Sequence, residues 1–197
     1  MPETSCGVLL YRRDADALRV LITHPGGPYW RNKDFGAWTI PKGAPEAGEA
    51  AEQTALREFA EELGTPVSGA LTSLGHIRQK SGKWVEAFAL EGDFDADDVR
   101  SNLFECEWPP RSGQVRQYPE IDRALWLTLD EARERLMPAQ CAFLDRLSTL
   151  LDPPTVIPAK AGTQADEPND RNASLDSRLR GNDDLLQREP GFPPSRE

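Results

Sequence analysis

Three glutamates at helical spacing are the side chains of this 197-residue sequence that are best placed to do chemistry. Glu58, Glu61 and Glu62 lie within residues 49–63, where apolar residues recur at the period of a helix. Residues three and four apart are neighbours on a helix surface, so these carboxylates gather on one side. Arg57 can pair with Glu61 one turn later, but it cannot neutralise three carboxylates.

A divalent cation would neutralise such a cluster. Carboxylate oxygens are the ligands that Mg²⁺ or Mn²⁺ prefers, and Mg²⁺ commonly bridges one or two carboxylates to substrate phosphates. The alternative is a solvated acidic helix face with a purely structural role, since the chain carries a net charge of −10. The helix by itself does not decide between these interpretations.

The spacing around the cluster is more specific than the cluster itself. Gly43 is followed after five residues by Glu49, and after seven more by the run REFAEELG at 57–64. This arrangement resembles the signature of the Nudix family, G-x5-E-x7-R-E-U-x-E-E-x-G-U, where U is a bulky aliphatic residue. At average residue usage, seven fixed identities coincide by chance on the order of once in a hundred million starts. Thr65 replaces the last aliphatic residue, which affects packing after the helix rather than the charges.

The resemblance implies a metal site made from these carboxylates. By position, Glu61 and Glu62 match the main metal ligands, Glu58 matches a ligand or the general base, and the carbonyl of Lys42 adds a ligand. The implied cofactor is Mg²⁺ or Mn²⁺, which neutralises phosphate charge and lowers the pKa of a bound water. A carboxylate can then accept the water's proton. The implied activity is hydrolysis of a phosphoanhydride bond in a nucleoside-diphosphate-linked substrate.

Other residues of the motif have supporting roles under the same resemblance. Arg57 matches the residue that orients a catalytic glutamate, so the catalytic set comprises Glu58, Arg57 and Glu61. Gly43 lets the loop backbone approach the metal and the substrate. Lys42 is expected to contact the polyphosphate as a point charge, and Glu49 matches the motif's first glutamate.

Members of this family often recruit one more glutamate from a later loop. Glu105, Glu107 and Glu120 are the candidates in this sequence, and we prefer Glu105 or Glu107 as an additional metal ligand or base. For each of them, an ordinary exposed glutamate is the competing interpretation.

The elements that must position this site follow from the rest of the pattern. Residues 24–37 and 92–120 are predicted to be long irregular loops, and such loops often carry specificity. The resemblance implies an α/β fold, a Nudix-type α/β/α sandwich around a mixed β-sheet. Strands are predicted over residues 5–11, 18–23, 38–40, 71–79, 84–91 and 124–127, and helices over 49–63, 128–136 and from about 138 to 151.

The chain is predicted to divide into a Nudix hydrolase domain at residues 1–151 and a low-complexity tail at 152–197. The tail is rich in Pro, Asn, Asp and Arg, with isolated leucines and no sustained period. Such a composition buries too little apolar surface to offset its ordering entropy. We therefore predict that the tail is disordered.

Charge, hydropathy and cysteine usage limit the partners and the compartment. The sequence is acidic and has no stripe of Lys and Arg, so stable binding to nucleic acid is not expected. It shows no targeting segment and no apolar run near the roughly 20 residues that span a bilayer. Cys6, Cys106 and Cys141 have neither metal-ligand nor disulfide spacing, and we expect them to be small buried hydrophobes. These features predict a cytoplasmic enzyme for a small nucleotide substrate, and the oligomeric state stays open.

The run W-x-x-P-K-G at residues 38–43 bears on the substrate. It is similar to the corresponding run of diadenosine tetraphosphate hydrolases, the bis(5'-nucleosyl)-tetraphosphatases of the same family, although diphosphoinositol-cleaving relatives also have Pro-Lys-Gly. The leading hypothesis is therefore a dinucleoside polyphosphate hydrolase. A nucleoside triphosphate pyrophosphohydrolase and a catalytically silent nucleotide-binding Nudix module are the alternatives.

Several further side chains could hold a nucleotide, although core packing is the preferred explanation for each aromatic residue and each cationic residue alone is a weak candidate. Aromatic rings stack on nucleobases, and cationic groups bind phosphate. The aromatic candidates are Trp30, Phe35, Trp84 and Tyr118, and the cationic candidates are Arg31, Lys33 and Arg111.

Overall fold

The computed structural model describes residues 4–15 and 17–152. All but the first residue of the tail predicted over residues 152–197 therefore lies outside the described part of the chain. The disordered tail and the division into domains therefore stay predictions. The strands of the described part are β1 (Thr4–Arg13), β2 (Leu18–Pro25), β3 (Lys42–Gly43), β4 (Thr72–Arg78), β5 (Trp84–Glu91), β6 (Leu103–Glu107), β7 (Val115–Pro119) and β8 (Ile121–Thr128). Its helices are α1 (Ala51–Leu63), α2 (Leu129–Arg135) and α3 (Cys141–Leu151), and a 3₁₀ turn at Pro138–Gln140 precedes α3.

A central strand that is buried on both faces organises the main sheet. β1 faces one apolar layer through Leu9 and Tyr11, and the opposite layer through Cys6, Val8 and Leu10. A strand covered on both faces has a continuous apolar run instead of alternation, as β1 does. The strand order is β4-β5-β1-β2-β8, with the short β3 paired to β1. Because β1 and β5 are parallel and the other neighbours are antiparallel, the sheet is mixed, as predicted.

Helices cover both faces of this sheet. α3 buries Phe143, Leu144 and Leu147 against one face, with α2 beside it. α1 covers the other face through its own apolar residues. This arrangement confirms the predicted α/β/α sandwich.

The strand directions bring several loops to one end of the sheet, which we call the upper end. β1, β5 and β8 begin there, whereas β2 and β4 end there, because of their parallel and antiparallel pairings. The loop after β2, the turn between β4 and β5, and the residue before β8 therefore share this end. β3 joins them, since it pairs with Cys6 and Gly7 near the start of β1.

Two local predictions were wrong, and both concern strands. Residues 38–40 make only isolated bridges, and the strand lies instead at Lys42–Gly43. It can pair with β1 because Gly7 leaves room: a β-carbon there would overlap the carbonyl of Pro41. The stretch 92–120, predicted to be irregular, contains the separate hairpin of β6 and β7. β6 alternates the partly buried Phe104 and Cys106 with the exposed Glu105 and Glu107, which is the pattern of a half-buried strand, but it is only five residues long. β7 is mostly exposed and shows no such alternation.

The cysteines are free thiols, as their spacing predicts. Cys6 is buried in the central strand, whereas Cys106 and Cys141 are only partly buried, so the expectation of burial holds for Cys6 alone. In the described part of the chain, no helix combines the length and apolarity needed to cross a membrane.

Candidate active site

Helix α1 separates an apolar face from the acidic one. Ala55, Phe59 and Leu63 are fully buried against the sheet, which leaves the glutamates of the helix toward the loop that precedes it. Gly64 adopts the left-handed conformation, with φ of 81°, and its N–H donates to the carbonyl of Ala60 at 2.8 Å. The helix therefore ends at the residue that the glycine signal predicts.

Arg57 organises the acidic residues, and all five of its N–H donors are used. Its Nε and Nη2 make a bidentate contact with Glu49, at 2.9 and 3.0 Å. Its Nη1 donates to Glu58 at 2.9 Å and to Glu61 at 3.0 Å. Nη2 also donates to the carbonyl of Ala44 at 2.9 Å. Because a guanidinium presents its donors in a fixed fork, this one side chain fixes three carboxylates and a loop carbonyl relative to each other.

These contacts change the basicity of the carboxylates in opposite directions. Hydrogen bonds from Arg57 lower the pKa of Glu49 to about 2. Burial raises the pKa of Glu58, although the hydrogen bond and the charge of Arg57 act against this rise. Glu49 is therefore a fixed anion at neutral pH, and Glu58 is a more basic carboxylate, as suits a group that accepts a proton.

Gly43 permits Glu58 to lie directly against the loop backbone. A β-carbon at this position would overlap the carboxylate carbon and both oxygens of Glu58. The pairing of Gly43 with Cys6 fixes this part of the loop against the central strand. A glycine is needed here for close approach between backbone and carboxylate.

Lys42 and Glu62 form a second pair in the site. The backbone N–H of Lys42 donates to Oε2 of Glu62 at 3.2 Å. Burial raises the pKa of Glu62 to about 8, although the charge of Lys42 acts against this rise. Burial also lowers the pKa of Lys42, and the nearby charge of Lys83 lowers it further. Desolvation thus disfavours both charges, and a ligand of opposite charge would stabilise either one.

Among the three later glutamates, Glu120 is the one whose charge acts on the site. It raises the pKa of both Glu58 and Glu62. Its backbone is held on two sides, because its N–H donates to the carbonyl of Asn102 at 2.9 Å and its carbonyl accepts from Gly26 at 2.8 Å. The sequence named Glu120 as a candidate, and its position directly before β8 places it at the upper end of the sheet.

The two glutamates that the sequence favoured lie on β6. Glu105 is exposed and pairs across the hairpin with Gln117. Glu107 accepts the backbone N–H of Gly113 at 2.7 Å, which closes the tip of the hairpin. Glu107 thus has a local partner in the hairpin. Among the described residues, neither Glu105 nor Glu107 is brought together with the carboxylates of α1.

The donor set suits a hard divalent cation. Glu58, Glu61 and Glu62 provide carboxylate oxygens and Lys42 a carbonyl oxygen, which are the ligands that Mg²⁺ and Ca²⁺ take. Within residues 4–15 and 17–152, no three Asp, Glu, His or Cys side chains are already grouped closely enough to hold an ion. A cation bound there would exchange some hydrogen bonds, such as those from Arg57, for bonds to oxygen.

A cavity of about 1030 Å³ also opens at the upper end of the sheet. Met137 lines it, and the N–H of Met137 donates to the carbonyl of Trp38 at 2.8 Å, so the cavity adjoins the loop at residues 38–43. The cavity is lined by Trp30 and Gly36 from the loop after β2, by residues 78–82 of the turn between β4 and β5, and by Met137, Pro138 and Ala139 before α3. Trp30, a candidate from the sequence, is therefore placed at this cavity, whereas Phe35 is exposed.

Comparisons with known proteins agree with this geometry. The family model described as the NUDIX domain matches residues 1–147. A search of curated proteins found no match to this chain.

Solved structures of similar fold were found at low sequence identity. The Ap4A hydrolase of C. elegans, in a binary complex, is 21% identical with a TM-score of 0.54, covering 75% of this chain and 97% of its own. The NUDIX domain of NrtR from Shewanella oneidensis, in complex with ADP ribose, is 14% identical with a TM-score of 0.55, covering 77% and 89%. The MutT protein of Methanosarcina mazei Go1 is 20% identical with a TM-score of 0.51, covering 77% and 96%. These similarities establish the fold.

Proposed function

The chain belongs to the NUDIX-domain family and is a phosphoanhydride hydrolase that acts on nucleotides, and we propose that it cleaves dinucleoside polyphosphates such as diadenosine tetraphosphate with the help of Mg²⁺ or Mn²⁺. The main support for a hydrolytic site on α1 is the set of carboxylates that Arg57 holds in place. Glu49 and Glu58 have side chains only 14% and 15% exposed. A solvated acidic face would leave such side chains in water.

The roles proposed for the residues follow from their contacts. A divalent cation, when bound, neutralises phosphate charge and activates a water for attack on phosphorus. Glu61, Glu62 and the carbonyl of Lys42 would hold it. Glu58, whose pKa is raised by burial, would accept the proton of the attacking water. Arg57 keeps Glu58 and Glu61 in register through its hydrogen bonds.

We propose that Glu120 is the additional carboxylate of this site. Its charge reaches Glu58 and Glu62, and its backbone is held by Gly26 and Asn102. It would assist as a second base or as an outer partner of the bound water. Glu105 and Glu107 are left with weaker support, because neither is among the charges that shift the pKa of the site.

The substrate proposal rests on the loop that leads into β3 and on the cavity beside it. The loop carries the Trp-x-x-Pro-Lys-Gly run at residues 38–43, and Lys42 lies next to the carboxylates, with its backbone N–H bonded to Glu62. The cavity provides room for a nucleoside, with Trp30 as an aromatic surface. Two of the proteins with a similar fold are an Ap4A hydrolase of C. elegans and an NrtR domain in complex with ADP ribose. Ap4A and ADP ribose are both nucleoside-diphosphate-linked compounds.

Product analysis with and without Mg²⁺ tests this proposal. The panel contains diadenosine tetraphosphate, nucleoside triphosphates, ADP-ribose, sugar nucleotides and diphosphoinositols, and products are separated by chromatography. Wild type is compared with Glu62→Gln and with the matched control Glu52→Gln. Glu52 lies in the first turn of the same helix and is exposed. We expect Mg²⁺-dependent cleavage that is lost in Glu62→Gln and kept in Glu52→Gln.

The products decide between the subclasses. A nucleoside monophosphate with a nucleoside triphosphate supports dinucleoside polyphosphate hydrolysis, whereas a nucleoside monophosphate with pyrophosphate supports a nucleoside triphosphate pyrophosphohydrolase. Equal turnover by wild type and Glu62→Gln would contradict the proposed metal site. Nucleotide binding without turnover of any panel member would favour the catalytically silent module.

A further inference from the structure

The tip of the β6–β7 hairpin holds one arginine in a strained conformation. Arg111 has φ of 63°, and among the described residues no other non-glycine residue has a positive φ. The left-handed region is costly for residues with a β-carbon, and such outliers concentrate at functional sites. Within the described part of the chain, the Arg111 side chain is exposed and makes no hydrogen bond or ion pair. Nothing in the hairpin itself therefore uses this guanidinium.

The tip around Arg111 is nevertheless firmly built. The N–H of Ser112 donates to the carbonyl of Pro109 at 3.1 Å, and the N–H of Trp108 donates to the carbonyl of Gln114 at 2.9 Å. Glu107 closes the turn by accepting from Gly113 at 2.7 Å. The backbone of the tip is therefore already ordered, and only the Arg111 side chain would lose conformational freedom on binding an anion.

Two contacts place the hairpin over the loop that follows β2. Tyr29 and Trp108 meet edge to face, with ring centroids 5.1 Å apart. Phe104 lies so close to Gly27 that a β-carbon there would be 2.9 Å from its ring. The next residue after Tyr29 is Trp30, which lines the cavity. The tip therefore stands beside the wall of the cavity.

The base of the hairpin is fixed at the upper end of the sheet. Glu120 directly follows β7 and is bonded to Asn102, which precedes β6. Five-residue strands, at about 3.3 Å per residue, put the tip about 15 Å from this base. The tip thus lies farther from Glu120 than a single phosphoanhydride bond extends.

We propose that Arg111, with the exposed edge of the Tyr29–Trp108 pair, binds the distal phosphate and nucleoside of a long substrate whose cleaved bond lies at Glu58 and Glu62. This inference rests on the proposed function and deepens it, because it makes the β6–β7 hairpin select dinucleoside polyphosphates over mononucleotides. A guanidinium binds phosphate oxygens through paired, charge-assisted hydrogen bonds. Tyr29 is 54% exposed, so its ring is open to a nucleobase.

Calorimetric binding of two non-hydrolysable probes tests the assignment. The probes are methylene-bridged analogues of diadenosine tetraphosphate and of ATP, each measured with Mg²⁺. Arg111→Gly removes the guanidinium and relieves the strained φ, while Arg111→Ala removes the guanidinium alone. Both variants should bind the long analogue about tenfold more weakly, as the loss of a charge-assisted hydrogen bond implies, and bind the ATP analogue with unchanged affinity. The Tm of Arg111→Gly should be equal to or above that of wild type.

Arg116→Ala is the matched control, since Arg116 is an exposed arginine on β7 of the same hairpin. It removes the same charge and should leave both affinities within twofold of wild type. The inference is overturned if wild type does not bind the long analogue, if the Arg111 variants bind it normally, if they bind both probes equally weakly, or if Arg116→Ala weakens binding as much. The proposed function fails on a different measurement. It fails if wild type shows no Mg²⁺-dependent turnover, or if Glu62→Gln does not abolish that turnover, whatever the affinities of the two probes are.

Discussion

Replacing Gly43 with alanine should reduce catalysis strongly while changing stability little. The added β-carbon would occupy the space of the Glu58 carboxylate, so that carboxylate must move by about 1 Å or more to reach an ordinary contact distance. The 2.9 Å hydrogen bond from Arg57 to Glu58 would break or lengthen. A misplacement of about 1 Å can cost on the order of 100-fold in rate, and we expect a kcat of Gly43→Ala lowered by 10-fold to about 100-fold.

Gly48 offers a matched control in the same loop. It has φ of 83°, and a β-carbon there would meet no atom within 4 Å. Gly48→Ala therefore strains the backbone by about 1–2 kcal/mol, which lowers the Tm by a few degrees for a chain of this size, without touching Glu58. Gly43 has no such backbone strain, because its φ lies outside the left-handed region.

Steady-state kinetics and thermal melts of both variants separate the two effects. Gly43→Ala should lose kcat at nearly the wild-type Tm, whereas Gly48→Ala should lose Tm at the wild-type kcat. Full activity in Gly43→Ala would refute the placement of Glu58 against the loop. So would an equal loss of kcat in Gly48→Ala, since that result would trace the effect to the loop as a whole.

Three further predictions follow from charged and buried groups. Burial raises the pKa of Glu62 from 4.5 to about 8, so the folded protein holds this proton more tightly than the unfolded chain, and stability falls as pH rises from about 4.5 to 8. In the presence of a chelator, Glu62→Gln should match the Tm of wild type near pH 5 and exceed it at pH 8.5, and a difference that is independent of pH would contradict the burial argument. Arg57→Lys should keep the fold by circular dichroism but lower kcat by about 10-fold or more, because an ammonium cannot reproduce five donors in a fork; wild-type kinetics would show that the fork is dispensable. His24 is fully buried and hydrogen-bonded to Asp122 at 2.6 Å and to the carbonyl of Lys33 at 2.8 Å. His24→Leu should therefore lower the free energy of unfolding in urea by about 2–4 kcal/mol. A loss below about 0.5 kcal/mol would show that these two hydrogen bonds do not stabilise the fold.

The parts of the fold that the sequence predicts well depend on local patterns. Helix α1 was predicted over residues 49–63 and observed at Ala51–Leu63, because its apolar residues and the glycine after it are all close in sequence. The strands at β4 and β5 were likewise predicted within a residue or two. The helices then pack on the sheet through one apolar face each, and the continuous apolar run of β1 predicts that this strand is covered on both faces.

The features that the sequence leaves undecided depend on contacts between distant residues. Glu120 is placed by bonds to Gly26 and Asn102, which are far from it or separated by the hairpin. No local pattern distinguishes it from Glu105 and Glu107, which carry the same side chain on exposed backbone. The hairpin contacts the loop after β2, for example through Phe104 and Gly27. The apolar alternation of β6 is only five residues long, and β7 has none, so the strand signal in this part of the sequence is weak.

The contacts of Arg57 explain why the spacing of the motif is so specific. Its five donors reach a loop carbonyl at Ala44, the carboxylate of Glu49 and two glutamates of its own helix. A residue inserted between Glu49 and Arg57 would rotate the guanidinium by about 100° relative to Glu49 and Ala44 and break its bonds to both. Glu58 and Glu61 would rotate together with Arg57, so they would keep their bonds to it but lose their position against the loop. An acidic face kept only for solubility has no such requirement, because solvated carboxylates tolerate a change of register. The specific spacing is therefore what the proposed site requires, since the guanidinium of Arg57 positions the carboxylates that would bind a divalent cation.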